Sequence, residues 1–242
     1  ILANLGPGLD NCTLVGERIF ISSINGSVTE ILAGGGTRSL IGKGLQWPLG
    51  IAFGADGSLF ICDGIYGYSL APDQGPNQTD ASPQMAGMIF WPGCPGYMRG
   101  VAAGSVAGEW IVTTGLGAVA RYRPQAAESD ILASGLDRLM DVVVYADGDI
   151  IVTEFGTGRL LQIGDGEPTV LADGLSEPMG LAIGPDGAVY VAESGAGRIL
   201  RYAGGRTETI CETLGQPQGL TCIGDELFVL DVGQKSLVAI NL

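Results

Sequence analysis

Apolar runs of four or five residues, each separated from the next by Gly and polar residues, recur along the chain with a period of about forty. The clearest copy is LSEPMGLAIGPDGAVYVAESGAGRILRYAGGRTETICETL at 175–214. Four short runs per period predict one four-stranded propeller blade. Six copies align on a second strand whose bulky apolar residues lead to a small or acidic one. They are FISS (20–23), FICD (60–63), IVTT (111–114), IVTE (151–154), YVAE (190–193) and FVLD (228–231). A small-residue inner strand precedes each, as in GIAF (50–53), GLAI (180–183) and GLTC (219–222), and ADG (55–57) or PDG (185–187) supplies hairpin chemistry between them.

An outer strand is predicted at EILAG (30–34), DILAS (130–134), TVLAD (169–173) and TICET (209–213). No such copy follows the third strand of the last blade, whereas ILANL (1–5) supplies one at the other end of the chain. Lending the first strand to the last blade removes two unpaired edges at once. The expectation is an all-β, six-bladed β-propeller in one domain, with blades at 6–34, 45–95, 96–135, 136–174, 175–214 and 215–242 plus 1–5. A chain that starts inside a strand without Met points to excision from a longer, multidomain protein.

One period is longer than the others. Blade 2 carries an insertion at 65–85, and loops of that length in compact domains are functional, self-packed or disordered. Tyr66 and Tyr68 near its start could stack on a ligand, with the Pro-rich remainder as a lid over the channel. Only GCPGYM (93–98) stands where an outer strand should follow.

Composition narrows the function classes. The 12 basic and 26 acidic residues give a formal charge of −14, which opposes binding to nucleic acid or anionic membranes. The apolar runs are too short for membrane insertion. Five cysteines cannot all pair, and four of them fall in predicted strands, so buried thiols and a reducing, cytoplasmic compartment are expected. Cys94 is the thiol expected to be exposed. The chain has no His, which excludes His-based triads and His-rich zinc sites. GGGTRSLIGKG (34–44) fails the spacing of a phosphate-binding loop and reads as a connection between blades.

The segment ILAGGGTRSLIGKGLQWPLGIAFGADGSLFICD (31–63), with Pro two residues before Gly, a DG turn and a terminal acid, resembles an NHL repeat. EPMGLAIGPDGAVYVAESGAGRILRY (177–202) resembles both NHL repeats and the calcium-dependent lactonases of the senescence marker protein, gluconolactonase and luciferin-regenerating family. In those lactonases the residue before the Gly of each inner strand holds a divalent ion at the top of the channel. The matching positions here are Asp10, Leu49, Arg99, Met140, Met179 and Gln218. One carboxylate among them is too few for a hard cation, so the resemblance implies the fold without its metal site and without a cofactor. Asp141, one position off, is expected to turn away from the channel.

Inner-strand starts and second-strand ends converge on one face, so Asp10, Arg99 and Gln218 should line the channel mouth. Asp63, Asp231, Tyr66 and Tyr68 would surround it, and Met140, Met179 and Leu49 would form an apolar wall. Glu154 with Arg159, and Glu193 with Arg198, read as ion pairs bracing turns, with Lys235 as a partner for Asp231. Three functions stay open. The first is metal-independent binding of a small molecule or partner protein. The second is a gluconolactonase-like or synthase-like enzyme, a hydrolase, lyase or synthase, using Asp10 or Asp63 as base with Arg99 in place of a metal. The third is a docking propeller with no small-molecule site.

Overall fold

A computed structural model of the chain describes residues 3–32, 34–70 and 88–242 and has the six-bladed propeller architecture. The chain opens with β1 (Ala3–Asn4), which belongs to the last blade. Blade 1 is β2 (Leu9–Val15), β3 (Arg18–Ser23), β4 (Ser27–Ile31) and β5 (Thr37–Ile41). Blade 2 is β6 (Pro48–Phe53), β7 (Leu59–Asp63), β8 (Tyr66–Leu70) and β9 (Ile89–Trp91). Blade 3 is β10 (Met98–Ala103), β11 (Trp110–Thr114), β12 (Val119–Arg123) and β13 (Glu128–Ala133). Blade 4 is β14 (Leu139–Val144), β15 (Ile150–Glu154), β16 (Arg159–Ile163) and β17 (Thr169–Ala172). Blade 5 is β18 (Pro178–Ile183), β19 (Val189–Glu193), β20 (Arg198–Ala203) and β21 (Arg206–Cys211). Blade 6 is β22 (Pro217–Ile223), β23 (Glu226–Asp231) and β24 (Ser236–Asn241), with β1 as its outer strand. Ala3 pairs with Leu237, and the Leu5 N–H donates to the Lys235 carbonyl at 2.7 Å.

Two expectations about outer strands change. In blade 1, Glu30 and Ile31 end the third strand, and the outer strand is Thr37–Ile41, inside the Gly-rich segment read as a connection. Arg38 and Arg18 both reach the buried Glu30 carboxylate, so a polar-looking strand is held by charge as well as by its ladder. In blade 2, Tyr66–Leu70 is the third strand and Ile89–Trp91 the outer one, in place of GCPGYM. The long connection therefore leaves from Leu70, at the face opposite the inner-strand starts. Its residues 71–87, and with them the lid expectation, lie outside the described residues.

The core is divided among the six blade interfaces. Phe20 of blade 1 packs with Ile51, Leu59 and Ile61 of blade 2, and Phe60 of blade 2 with Met98, Trp110 and Tyr122 of blade 3. The Phe60 and Trp110 ring centroids are 4.7 Å apart. Cys12 and Cys62 are buried, and Cys94 is half-buried, with its Sγ 3.6 Å from the Tyr122 hydroxyl. Cys94 therefore packs against blade 3 where an exposed thiol was expected. All five cysteines are free.

Every inner strand is bulged at the same place. Pairing with the second strand breaks between Leu9 and Cys12, Pro48 and Ile51, Met98 and Val101, Leu139 and Val142, Pro178 and Leu181, and Pro217 and Leu220. Two residues per blade are thereby released from the ladder at the channel. In blades 3 and 4, the hydroxyls of Thr113 and Thr153 accept from the freed N–H groups of Gly100 and Asp141, at 2.8 and 3.0 Å. The same hydroxyls donate to the carbonyls of Met140 and Met179 in the next blade, at 2.8 and 2.6 Å. Ser22 bonds the Leu49 carbonyl at 2.6 Å in the same manner. The small polar residue of FISS, IVTT and IVTE thus stitches one blade to the next.

Candidate functional site

The first residue of each bulge pair forms a collar around the channel: Asp10, Leu49, Arg99, Met140, Met179 and Gln218 line one narrow throat of about 30 Å³. All six alignment positions come together there. The second residue is Gly in four blades, because a side chain would collide with the neighbouring strand: a Cβ on Gly180 would overlap the Gln218 carbonyl oxygen. Blades 1 and 4, opposite each other in the ring, carry Asn11 and Asp141 instead. Both line the throat. The bulge breaks the alternation of the strand, so Asp141 faces the channel beside Met140 where it was expected to turn away.

Asp141 is locked in place. Its two carboxylate oxygens accept the N–H groups of Val142 and Leu181, each at 2.9 Å. Burial raises its pKa to about 6, while those N–H groups and the Asn11 side chain, reaching it across the channel, hold it from rising further. Asp10 lacks comparable support. Burial pushes its pKa up to about 7, the Arg99 charge pulls it back in part, and the Asp141 charge pushes it higher. Arg99 is partly buried, and its Nε has no hydrogen-bond partner among the described residues.

Above the collar the channel widens into a basin of about 720 Å³. Arg99, Met140, Met179 and Gln218 belong to both spaces and form the neck between them. The upper walls come from two repeat positions that the sequence reading passed over. Tyr97, Arg138, Glu177 and Gln216 lie two residues before the collar position of blades 3 to 6. Each accepts an N–H from the turn after the second strand, as Phe155 donates to the Arg138 carbonyl at 3.0 Å and Ser194 to that of Glu177 at 3.1 Å. Arg138 and Glu177 are held at φ +52 and +51, a left-handed conformation that non-Gly residues rarely take. The turns themselves contribute Leu116, Phe155 and Ser194. The Arg138 guanidinium lies 5.0 Å over the Phe155 ring. The available signal was the repeat itself, read two residues before each collar position.

The remaining predicted residues lie elsewhere. Asp63 is buried at the end of β7, accepting the N–H groups of Gln46 and Trp47 at 3.0 and 2.5 Å. Burial raises its pKa and those two bonds oppose the rise. Asp231 accepts from Gly215, Gln216 and Gln234 at 2.7, 2.9 and 3.1 Å, so its partners are backbone groups. Glu154 and Glu193 add the expected Arg159 and Arg198 to the same arrangement, accepting also from the Asp137 and Ser176 N–H groups at 2.7 and 2.6 Å. These acids fasten the loop entering their blade. Tyr68 is buried in the interface of blades 1 and 2, and Tyr66 and Tyr68 each stand 5.8 Å from the Phe90 ring, away from the throat.

Among the described residues, no group of three or more His, Cys, Asp or Glu is placed to hold a metal ion. No helix among the described residues is long and apolar enough to cross a membrane.

No protein-family model matches the chain, and no curated protein matches it. Its fold does match solved structures. A chain of the nidogen/laminin complex superposes with TM-score 0.79 at 16% identity, over 93% of this chain and 89% of that one. A streptogramin B lyase gives 0.72 at 12%, over 99% and 85%. The PQQ-bound aldose sugar dehydrogenase of Streptomyces coelicolor gives 0.73 at 16%, over 97% and 91%. At such identities the likeness is one of fold, and the fold carries enzymes and binding proteins alike.

Proposed function

We propose that this propeller binds a small organic molecule at the channel mouth without a metal ion. The observation that carries the reading is the neck of Arg99, Met140, Met179 and Gln218 opening into the basin. A concave, largely apolar space with a few convergent polar groups is the usual form of a small-molecule site. The collar supplies one carboxylate, Asp10, and the Asp141 carboxylate is already occupied by two backbone N–H groups. A hard cation needs more free oxygens than that.

The test is the unfolding midpoint in EDTA and then in millimolar calcium. A bound ion raises the midpoint by linkage, so equal midpoints are expected. A rise of several degrees with calcium overturns the metal-independent reading.

A second reading, catalysis at the collar, draws support from Asp10. A carboxyl with a pKa of about 7 beside a guanidinium is suited to proton transfer at neutral pH. The lyase among the fold neighbours shows that this architecture can host an enzyme.

A further inference from the structure

We infer that the ligand of the basin is an amphipathic monocarboxylate, with its carboxylate on the Arg99 guanidinium at the neck and its apolar body against Met140, Met179, Leu116 and Phe155. The inference rests on the reading of the basin as a small-molecule site and adds the class of molecule.

Arg99 is unlike the other partly buried arginines of the chain. Arg18 and Arg38 reach Glu30, Arg121 reaches Glu109, Arg159 reaches Glu154 and Arg198 reaches Glu193. Among the described residues no carboxylate lies within ion-pair distance of Arg99, and its buried Nε is left without an acceptor. A guanidinium presents paired donors whose geometry matches a carboxylate. The throat beneath has only about 30 Å³, room for little more than a water, so an anionic group must enter from the basin and stop at the neck. In a chain of net charge −14, the basin walls place Arg99 and Arg138 against Glu177, which makes them locally positive.

Asp10 sets the condition for binding. Around it stand Leu49 of β6, Arg99 of β10, Met140 and Asp141 of β14, Met179 of β18 and Gln218 of β22, with Asn11 on its own strand, and Arg99 and Asp141 are the charges that act on it. Ionised, it would compete with the ligand for Arg99 and repel it. Protonated, it leaves the guanidinium free and can donate to the incoming oxygen. Binding therefore takes up a proton, and affinity falls as pH rises through the range where Asp10 titrates, near 7.

Octanoate, octanamide and octylammonium share one tail and differ in the head, so they separate the two readings. Binding is followed by calorimetry and by the methyl resonances of Met140 and Met179. Octanoate should bind at least ten-fold tighter than octanamide and weaken about ten-fold between about pH 6 and pH 8, with octanamide unaffected. Arg99→Met should bring octanoate down to the octanamide affinity, and Arg99→Lys, which keeps the charge on a different donor, should fall between. Equal binding of octanoate and octanamide at the two methionines overturns the carboxylate class while the basin reading stands. Tighter binding of octylammonium overturns it in the same way. Silence of both methionines with all three probes overturns the basin reading as well.

Discussion

The rim and the neck of this propeller both carry buried charge, and they treat it in opposite ways. At the rim, Asp63, Glu154, Glu193 and Asp231 end the second strands of their blades, and each accepts at least one backbone N–H from the loop entering that blade. At the neck and in the throat just beneath it, Arg99 and Asp10 are set by the same repeat, but the Arg99 Nε has no acceptor among the described residues and the burial of Asp10 is offset only in part by the Arg99 charge. Burying a charged group is costly unless its hydrogen bonds are made. The rim acids meet that condition with protein groups. The neck does not, which marks it as the place where a ligand can complete the set. Asp141 sharpens the contrast, because it lies in the throat and is nonetheless saturated like a rim acid.

The contrast breaks most visibly at Glu193. Its side chain is fully buried, accepts the Ser176 N–H and pairs with Arg198, which is about one-third exposed. Glu193→Ala leaves an N–H and a guanidinium without their acceptor, a loss on the order of 3 kcal/mol. Urea unfolding measures it. A loss below about 1 kcal/mol would mean that the rim acids are ordinary surface pairs and not fastenings.

Asp10→Asn should act in the opposite direction and depend on pH. The folded-state pKa of Asp10, about 7, lies above its ordinary 3.8, so the folded protein binds this proton more tightly than the unfolded chain does. Stability from this group is complete below about pH 4 and is lost as pH rises through 7. Asp141, raised to about 6, contributes in the same sense. At about pH 8 the variant should be more stable than the parent by roughly 1–3 kcal/mol, and the two should converge near pH 4. Unfolding midpoints across that range decide the matter. A destabilised variant at high pH would mean that ionised Asp10 is properly paired, with Arg99 as the obvious partner.

The same division governs what could be read from the residues. Blades, hairpins and ring closure were legible because they follow from local patterns: apolar runs, DG turns, and an outer-strand motif found at the wrong end of the chain. The collar was legible because Gly follows four of its six positions, where only Gly fits beside the neighbouring strand. Alternation failed for Asp141, since a strict period of two assumes an unbroken ladder and the bulge removes it. The outer strand Thr37–Ile41 was missed because its flanking glycines and its Arg38 look like a loop until Glu30 is placed opposite. Asp63 was placed at the channel mouth, and Asp231 there with Lys235 as its partner, because the backbone donors that hold both leave no trace in side-chain spacing. Tyr66 and Tyr68 were attributed to the insertion because a third strand written YGYSL lacks the aliphatic run of its counterparts.

The smallest effect is expected at Arg99, and it is the most discriminating. A buried arginine in a structural ion pair costs several kcal/mol to remove, because its partner is left charged and alone. Arg99 has no such partner at hydrogen-bond distance, and its Nε already lacks an acceptor, so Arg99→Met removes an unsatisfied donor and fills the neck beside Met140 and Met179 with matching apolar volume. It also withdraws the charge that partly lowers the pKa of Asp10, which should move that titration upward. The net change in stability should stay within about 1 kcal/mol at neutral pH, against the larger loss at Glu193. Chemical unfolding of the two variants side by side measures the difference. If Arg99→Met were as damaging as Glu193→Ala, the neck would be scaffolding in the same sense as the rim, and the distinction between saturated and unsaturated charge would no longer locate a site.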